Sequence, residues 1–150
     1  MKFEYLTDVA IADIAFCAEG KTREELMGNC GLALTSAMAN TKKIGKNAKK
    51  EIVVEGKNDE ELLYNFLEEL VYLKDVDGVL FKKFGVKISQ TKKNGNSGNN
   101  AMEMIVSCVG DTLDRIGREN LLNDVKAITM HMFEIKKENG KWAATVVVDI

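Results

Sequence analysis

Two oxygen-rich groups sit side by side where this sequence stops: the side-chain carboxylate of Asp149 and the α-carboxylate of Ile150. The segment from Val125 to Ile150 (VKAITMHMFEIKKENGKWAATVVVDI) reads as a β-hairpin whose second strand runs into the C-terminus. Chain ends ordinarily fray. A strand held by a partner does not, and two hard oxygen donors one residue apart suit a divalent cation such as Ca²⁺ or Mg²⁺. Spacing alone favours the plainer reading, a polar residue at a strand end, because so short a pattern is no more than a hypothesis.

Asp13 lies in a stretch of alternating character. Ala12, Ile14, Phe16 and Ala18 share one face, and Asp13, Ala15, Cys17 and Glu19 share the other, which is the period of a strand. On residues alone Asp13 is the solvent-facing member of an amphipathic strand. His131 falls on a predicted strand face with Thr129, Phe133 and Ile135 and reads as a core or edge residue. Glu103, Asp111 and Asp114 read as solvated acids, and Cys108 as packing. No candidate nucleophile, His–acid pair or glycine loop of oxyanion-hole spacing accompanies these residues. A metal-dependent hydrolase built on Asp13 and Asp149 therefore lacks its partners, and no catalytic residue is assigned.

The elements that must position these groups follow from pattern. Thr22 with Glu25, and less ideally Asn58 with Glu61, form capping-box signals. The apolar positions behind them, Leu26 to Met38 and Leu62 to Leu73, recur in steps of three and four. Helices are predicted over Thr22–Ala39 and Asp59–Leu73, each with a buried stripe. Strands are predicted over Ile11–Ala18, Ile52–Val54, Val79–Ile88 and Ala101–Val109. A lysine-rich connector (Lys42, Lys43, Lys46, Lys49, Lys50) precedes the second strand, and a glycine- and asparagine-rich tip, residues 92–100, precedes the last. Asp111 to Asp124 reads as an irregular excursion with a single helical turn. Asn139-Gly140 is the strongest two-residue hairpin signal, and the run Val146 to Val148 implies a strand buried on both faces. The fold class is α+β, one domain over residues 1–150, two main helices on mostly antiparallel sheet. No internal repeat is evident.

Composition bounds the function. The chain has 150 residues, 45% hydrophobic and 29% charged, as in an ordinary globular domain. A net charge of −2 argues against wrapping nucleic acid electrostatically, and the lysine groups read as solvated surface. Three cysteines at wide spacing and one histidine disfavour a thiolate or imidazole zinc site. No apolar run nears the roughly 18 residues of a membrane span, and MKFEYLTDVA lacks a secretory signal. A cytoplasmic protein is expected.

Four stretches carry a resemblance: IADIAFCAEGKTREELM, ELLYNFLEELVYLKDVDGVLF, KAITMHMFEI and KWAATVVVDI. In this order they resemble the archease family. The resemblance implies a small α+β protein that is not an enzyme. It implies an activator of the GTP-dependent tRNA-splicing RNA ligase of the RtcB type, promoting guanylylation of the ligase histidine and multiple turnover. A chaperone role towards a tRNA methyltransferase is also proposed in that family. The family's divalent-metal site, reported with calcium, maps by motif position onto Asp13, Asp149 and Ile150. Neither stable direct nucleic-acid binding nor membrane association is expected. Family members commonly carry Asp-His-Thr-Ala-Asp where this chain has Val9, Ala10, Ile11, Ala12, Asp13, with Asp8 the nearby acid out of register.

Overall fold

The structure, a computed structural model, describes residues 2–6, 13–92 and 100–150. Helix α1 (Arg23–Met38) starts where Thr22 Oγ1 accepts the Glu25 N–H at 3.0 Å, and α2 (Asp59–Asp77) where Asn58 Oδ1 accepts the Glu61 N–H at 2.8 Å. Each cap satisfies one of the N–H groups a helix start leaves without a partner. Acids in both first turns face the positive end of the helix dipole. Helix α2 runs a turn beyond its predicted end and stops at Gly78, in the left-handed conformation (φ 62°) that glycine adopts without penalty.

Eight strands are present among the described residues: β1 (Phe3–Leu6), β2 (Asp13–Gly20), β3 (Ala48–Gly56), β4 (Val79–Lys92), β5 (Asn100–Thr112), β6 (Ala127–Ile128), β7 (Glu134–Glu138) and β8 (Lys141–Asp149). All their pairings are antiparallel. One sheet has the order β1-β2-β8, with β6 and β7 in turn on the far side of β8; the other has the order β3-β5-β4. The helices form a layer between the sheets. Helix α1 packs on β4 from one side and on β2 and β8 from the other, and α2 packs on β3 and β4 and on β6 and β7. Both sheets and both helices share one apolar cluster, with Phe16, Leu34, Leu63, Phe66, Met104 and Val146 among its members.

This layering corrects the reading of α1. A single buried stripe was predicted, yet Leu26, Met27, Asn29, Cys30, Gly31, Ala33, Leu34, Thr35, Ala37 and Met38 are all buried. A helix covered by sheets on two sides has little surface left for polar residues.

The lysine connector is shorter than predicted. Pairing with β5 begins at Ala48, so Lys49 and Lys50 are strand residues, and a 3₁₀ turn (Thr41–Lys43) lies ahead of them. Strand β1 was not foreseen. The excursion after β5 holds a one-turn helix, α3 (Leu113–Ile116), and a 3₁₀ turn (Arg118–Asn120). Asp111 proved to be buried rather than solvated, 3% exposed, with Asn47 Nδ2 donating to it at 2.8 Å. Most of the predicted tip, residues 93–99, and Asp8 with residues 7–12 lie outside the described residues.

The terminal hairpin turns at Asn139 (φ 53°) and Gly140 (φ 77°), as their tolerance of positive φ requires. Val146, Val147 and Val148 are fully buried. The first arm of the hairpin, however, is broken. Ile128 pairs with Val148 and the next pair is Glu134 with Thr145, so residues 129–133 face only Val146 and Val147. The surplus residues leave the ladder, with Met132 at φ 54°. His131 consequently stands exposed in a turn and not on a strand face.

The fold also exposes a repeat. The segments EGKTREEL (19–26) and EGKNDEEL (55–62) do the same work twice. In each, an asparagine one helical stretch later (Asn29, Asn65) donates Nδ2 to the backbone oxygen of the leading glutamate (Glu19, Glu55), at 2.7 and 2.8 Å. In each, the glycine passes tightly over the helix start: a Cβ on Gly20 or Gly56 would sit 2.5 or 2.8 Å from the backbone nitrogen of Leu26 or Leu62. The units β2-α1 and β3-α2 are thus two copies of one device. Different residues beyond the first turn hid the repetition from the sequence reading.

Candidate metal centre

Strand β8 is central in its sheet, so its last residues are flanked on both sides. Asp149 is the register partner of Asp13 on β2 and of Ala127 on β6. Its backbone oxygen accepts the Lys126 N–H at 2.8 Å. Register partners across an antiparallel ladder lie about 4.5–5.5 Å apart at Cα, and their side chains share a face.

That face is the outer one. Ile14 and Val148 belong to the core packing, and Ile150 packs against it. Alternation along each strand then turns Asp13 and Asp149 away from the helices. Both are partly exposed. The Ile150 side chain anchors the chain end to the core, which leaves its backbone oxygens beside Asp149.

Two carboxylates and main-chain oxygens are hard donors, suited to calcium or magnesium and poorly matched to softer metals. Among the described residues no group of three His, Cys, Asp or Glu side chains gathers round a common point. Asp13 and Asp149 fit a divalent cation by donor chemistry. Among the described residues neither makes an ion pair with a basic side chain.

Cys17 lies on the same outer face. Burial raises its thiol above the ordinary range, a hydrogen bond with Thr145 partly opposes this, and Glu4, Glu19 and Glu134 raise it further. Burial pushes Cys108 up to about 12 and Cys30 well above its usual value. Thiols held protonated in this way are poor ligands.

The sequence reading missed what supports Asp149 from behind. Lys74 of α2, 8% exposed, donates to the Val125 backbone oxygen at 2.7 Å and pairs with Asp124 and with Asp75. Burial lowers its proton affinity, but the hydrogen bonds to Asp124 and Asp75 outweigh that and hold it above the ordinary lysine value. The Glu68 carboxylate accepts the Ile128 N–H at 3.2 Å. The Glu68 contact ties β6 to α2, and the Lys74 contacts tie down the residues leading into β6. A lone lysine inside an apolar helical stripe was the available signal.

The comparisons with known proteins agree with one another. The model of the Archease protein family (MTH1598/TM1083) matches residues 3–150. The protein archease of Pyrococcus abyssi is 37% identical over 140 residues, 93% of each chain. That of Methanosarcina barkeri is 36% identical over 149 residues, 99% of this chain and 96% of its own. The solution structure of Methanobacterium thermoautotrophicum protein 1598 superposes with a TM-score of 0.77 at 26% identity, covering 99% of both chains. The crystal structure of a Thermotoga maritima archease, described as a possible chaperone, superposes with a TM-score of 0.59 at 17% identity over 94% of this chain and 93% of its own. Matching motifs, matching fold and near full-length identity converge: this chain belongs to the archease family.

Proposed function

We propose that this protein is a non-enzymatic activator of a GTP-dependent RNA ligase of the RtcB type, acting through a divalent-cation site formed by Asp13, Asp149 and the carboxylate of Ile150, with calcium as the cation. The observation that supports this reading is the register pairing of Asp13 with Asp149 at the end of a central strand. The two acids are far apart in sequence and are neighbours only in the fold.

A cation bound there supplies charge neutralisation, on which nucleotidyl transfer largely depends. The residues of this chain hold and aim it. Asp13 and Asp149 present their oxygens on one face, β2 and β6 clamp β8 from both sides, and Ile150 seats the chain end in the core. A cluster at the extreme end of a sheet can enter a partner's active-site cleft without the rest of the domain following. Guanylylation of the ligase histidine is the step such a positioning device assists.

The test is a ligation time course with a substoichiometric partner ligase, with and without this protein. Multiple turnovers only in its presence are expected. The reading fails if the ligase turns over equally well alone, or if folded Asp13→Ala and Asp149→Ala proteins stimulate it as wild type does. Recovery of a tRNA methyltransferase in place of the ligase in a pull-down would transfer the activity to that partner.

A further inference from the structure

Lys46, Lys49 and Lys83 gather at one end of the second sheet, on the side away from the helices. Register sets the row. Lys49 on β3 and Lys83 on β4 are both partners of Val109 on β5, so all three side chains leave the sheet on the same face. Phe84, the next residue along, packs against the core on the opposite face. A shift in register between Phe81 and Lys83 inserts Lys82 as an extra residue, and such a bulge bends the strand and re-aims its side chains.

Lys46 arrives from the turn ahead of β3, and that turn is built to a tight tolerance. Asn47 donates to Asp111 at 2.8 Å, and a Cβ on Gly45 would stand 2.4 Å from the same Asp111 oxygen. Asp111 pairs with Leu80 on β4, so the turn that carries Lys46 stands at the Lys83 end of the sheet. The proximity of Lys46 is the main reason the Lys83 ammonium titrates below the ordinary lysine value, with Lys82 adding to it. Like charges held close disfavour one another. Among the described residues none of Lys46, Lys49, Lys82 or Lys83 makes an ion pair with a carboxylate. Asp111 is turned inward to Asn47, the Thr112 N–H and Arg115.

We propose that this lysine cluster is a contact for the phosphodiester backbone of RNA, its bulged strand and pinned turn holding the ammonium groups in place for phosphates. The choice of RNA among polyanions rests on the ligase reading above. All four residues are lysines, point charges that serve phosphate well and lack the planar fork arginine offers a carboxylate. The cluster lies on the opposite sheet from Asp13 and Asp149, so RNA here leaves the acidic end free. Three or four lysines give only weak, salt-sensitive binding. The contact therefore works on RNA already delivered by a partner, and stable binding by this protein alone is not expected.

The test is fluorescence anisotropy of a labelled single-stranded RNA titrated with this protein at several low salt concentrations. With three lysines engaged, the plot of log K against log salt should slope by about −2, and by about −0.7 in the Lys46→Ala/Lys83→Ala double variant, with affinity at ~50 mM salt down about tenfold or more. A Lys136→Ala/Lys137→Ala control should bind as wild type. The proposal is overturned if the double variant matches wild type, if wild type shows no binding at low salt, or if polyglutamate binds more tightly than RNA. A protein that stimulates the ligase while the double variant binds RNA normally loses this contact alone. A protein whose RNA binding depends on Lys46 and Lys83 but which leaves the ligase unchanged loses only the activator reading.

Discussion

Arg23 and Asp59 occupy the same place in the two copies of the repeated unit, and they meet: Arg23 Nη1 lies 2.9 Å from Asp59 Oδ1. The two starts of α1 and α2 are thus joined through equivalent positions of the repeated unit. Their side chains keep 33% and 18% of their exposure, and such a pair contributes about 0.2–1 kcal/mol. Arg23→Ala or Asp59→Ala should cost that much in urea unfolding, and Arg23→Asp more, since it sets two carboxylates together. The double swap Arg23→Asp/Asp59→Arg should recover most of the loss, because the two residues occupy equivalent positions in the repeated unit. No recovery would show that the environments of the two positions differ.

Calcium should raise the melting temperature of the wild-type protein, because a ligand that binds only the folded state stabilises it by about 2.7 kcal/mol at a hundredfold excess over Kd. Asp13→Ala and Asp149→Ala should lose this increment while melting at or above the wild-type temperature in chelator, since each removes one of two facing acids. A single residue added after Ile150 should weaken the calcium response as well, by moving the terminal charge. Thermal melts with and without calcium decide it.

Lys74→Met should lower stability by about 1–3 kcal/mol at pH 7, the cost of leaving the buried Val125 backbone oxygen without its donor. The wild-type lysine has a raised folded-state pKa, so its contribution is complete below the unfolded value of about 10.4 and declines as pH rises through the higher folded value. The gap between wild type and Lys74→Met in chemical denaturation should therefore be constant through neutral pH and close only in strong alkali.

Gly28→Ala should stabilise the protein by roughly 0.5–1 kcal/mol, the propensity difference between the two residues in a helix. The added methyl meets the Phe84 backbone oxygen at an ordinary 3.6 Å. Gly20→Ala should do the opposite, by about 1–3 kcal/mol, because its methyl would lie 2.5 Å from the Leu26 backbone nitrogen. Both effects are read from denaturant midpoints.

Local signals in the sequence located the elements whose causes are local. Caps at Thr22 and Asn58 marked both helices, Asn139-Gly140 marked the last turn, and the run from Val146 to Val148 marked a strand covered on both faces. What failed depended on neighbours remote in sequence. Pairing with β5 draws Lys49 and Lys50 into a strand, and the two-sided cover of α1 follows from a second sheet that no helix pattern announces. The break at residues 129–133 is a mismatch of register with β8, visible only once β6 and β7 are both laid against it. For the candidate site, motif resemblance named Asp13, Asp149 and Ile150, and the fold adds the shared face of Asp13 and Asp149. The support from Lys74 and Glu68 and the inward turn of Asp111 needed the tertiary contacts.

The pairing of β2 with β8 spans residues 13 to 149, nearly the whole chain, whereas β4 and β5 form a hairpin closed between residues 92 and 100. Loop-closure entropy sets the order of assembly: local pairings form first and long-range ones wait for the chain to be gathered. The β4–β5 and β7–β8 hairpins are the pairings of low closure cost, and the seam of β2 with β8 is the long-range one that completes the first sheet. Lesions in the β4–β5 hairpin should then slow folding, while lesions at the β2–β8 seam should mainly hasten unfolding. Asp13 and Asp149 lie on that seam, so a chain presenting the two acids side by side has closed its longest-range pairing.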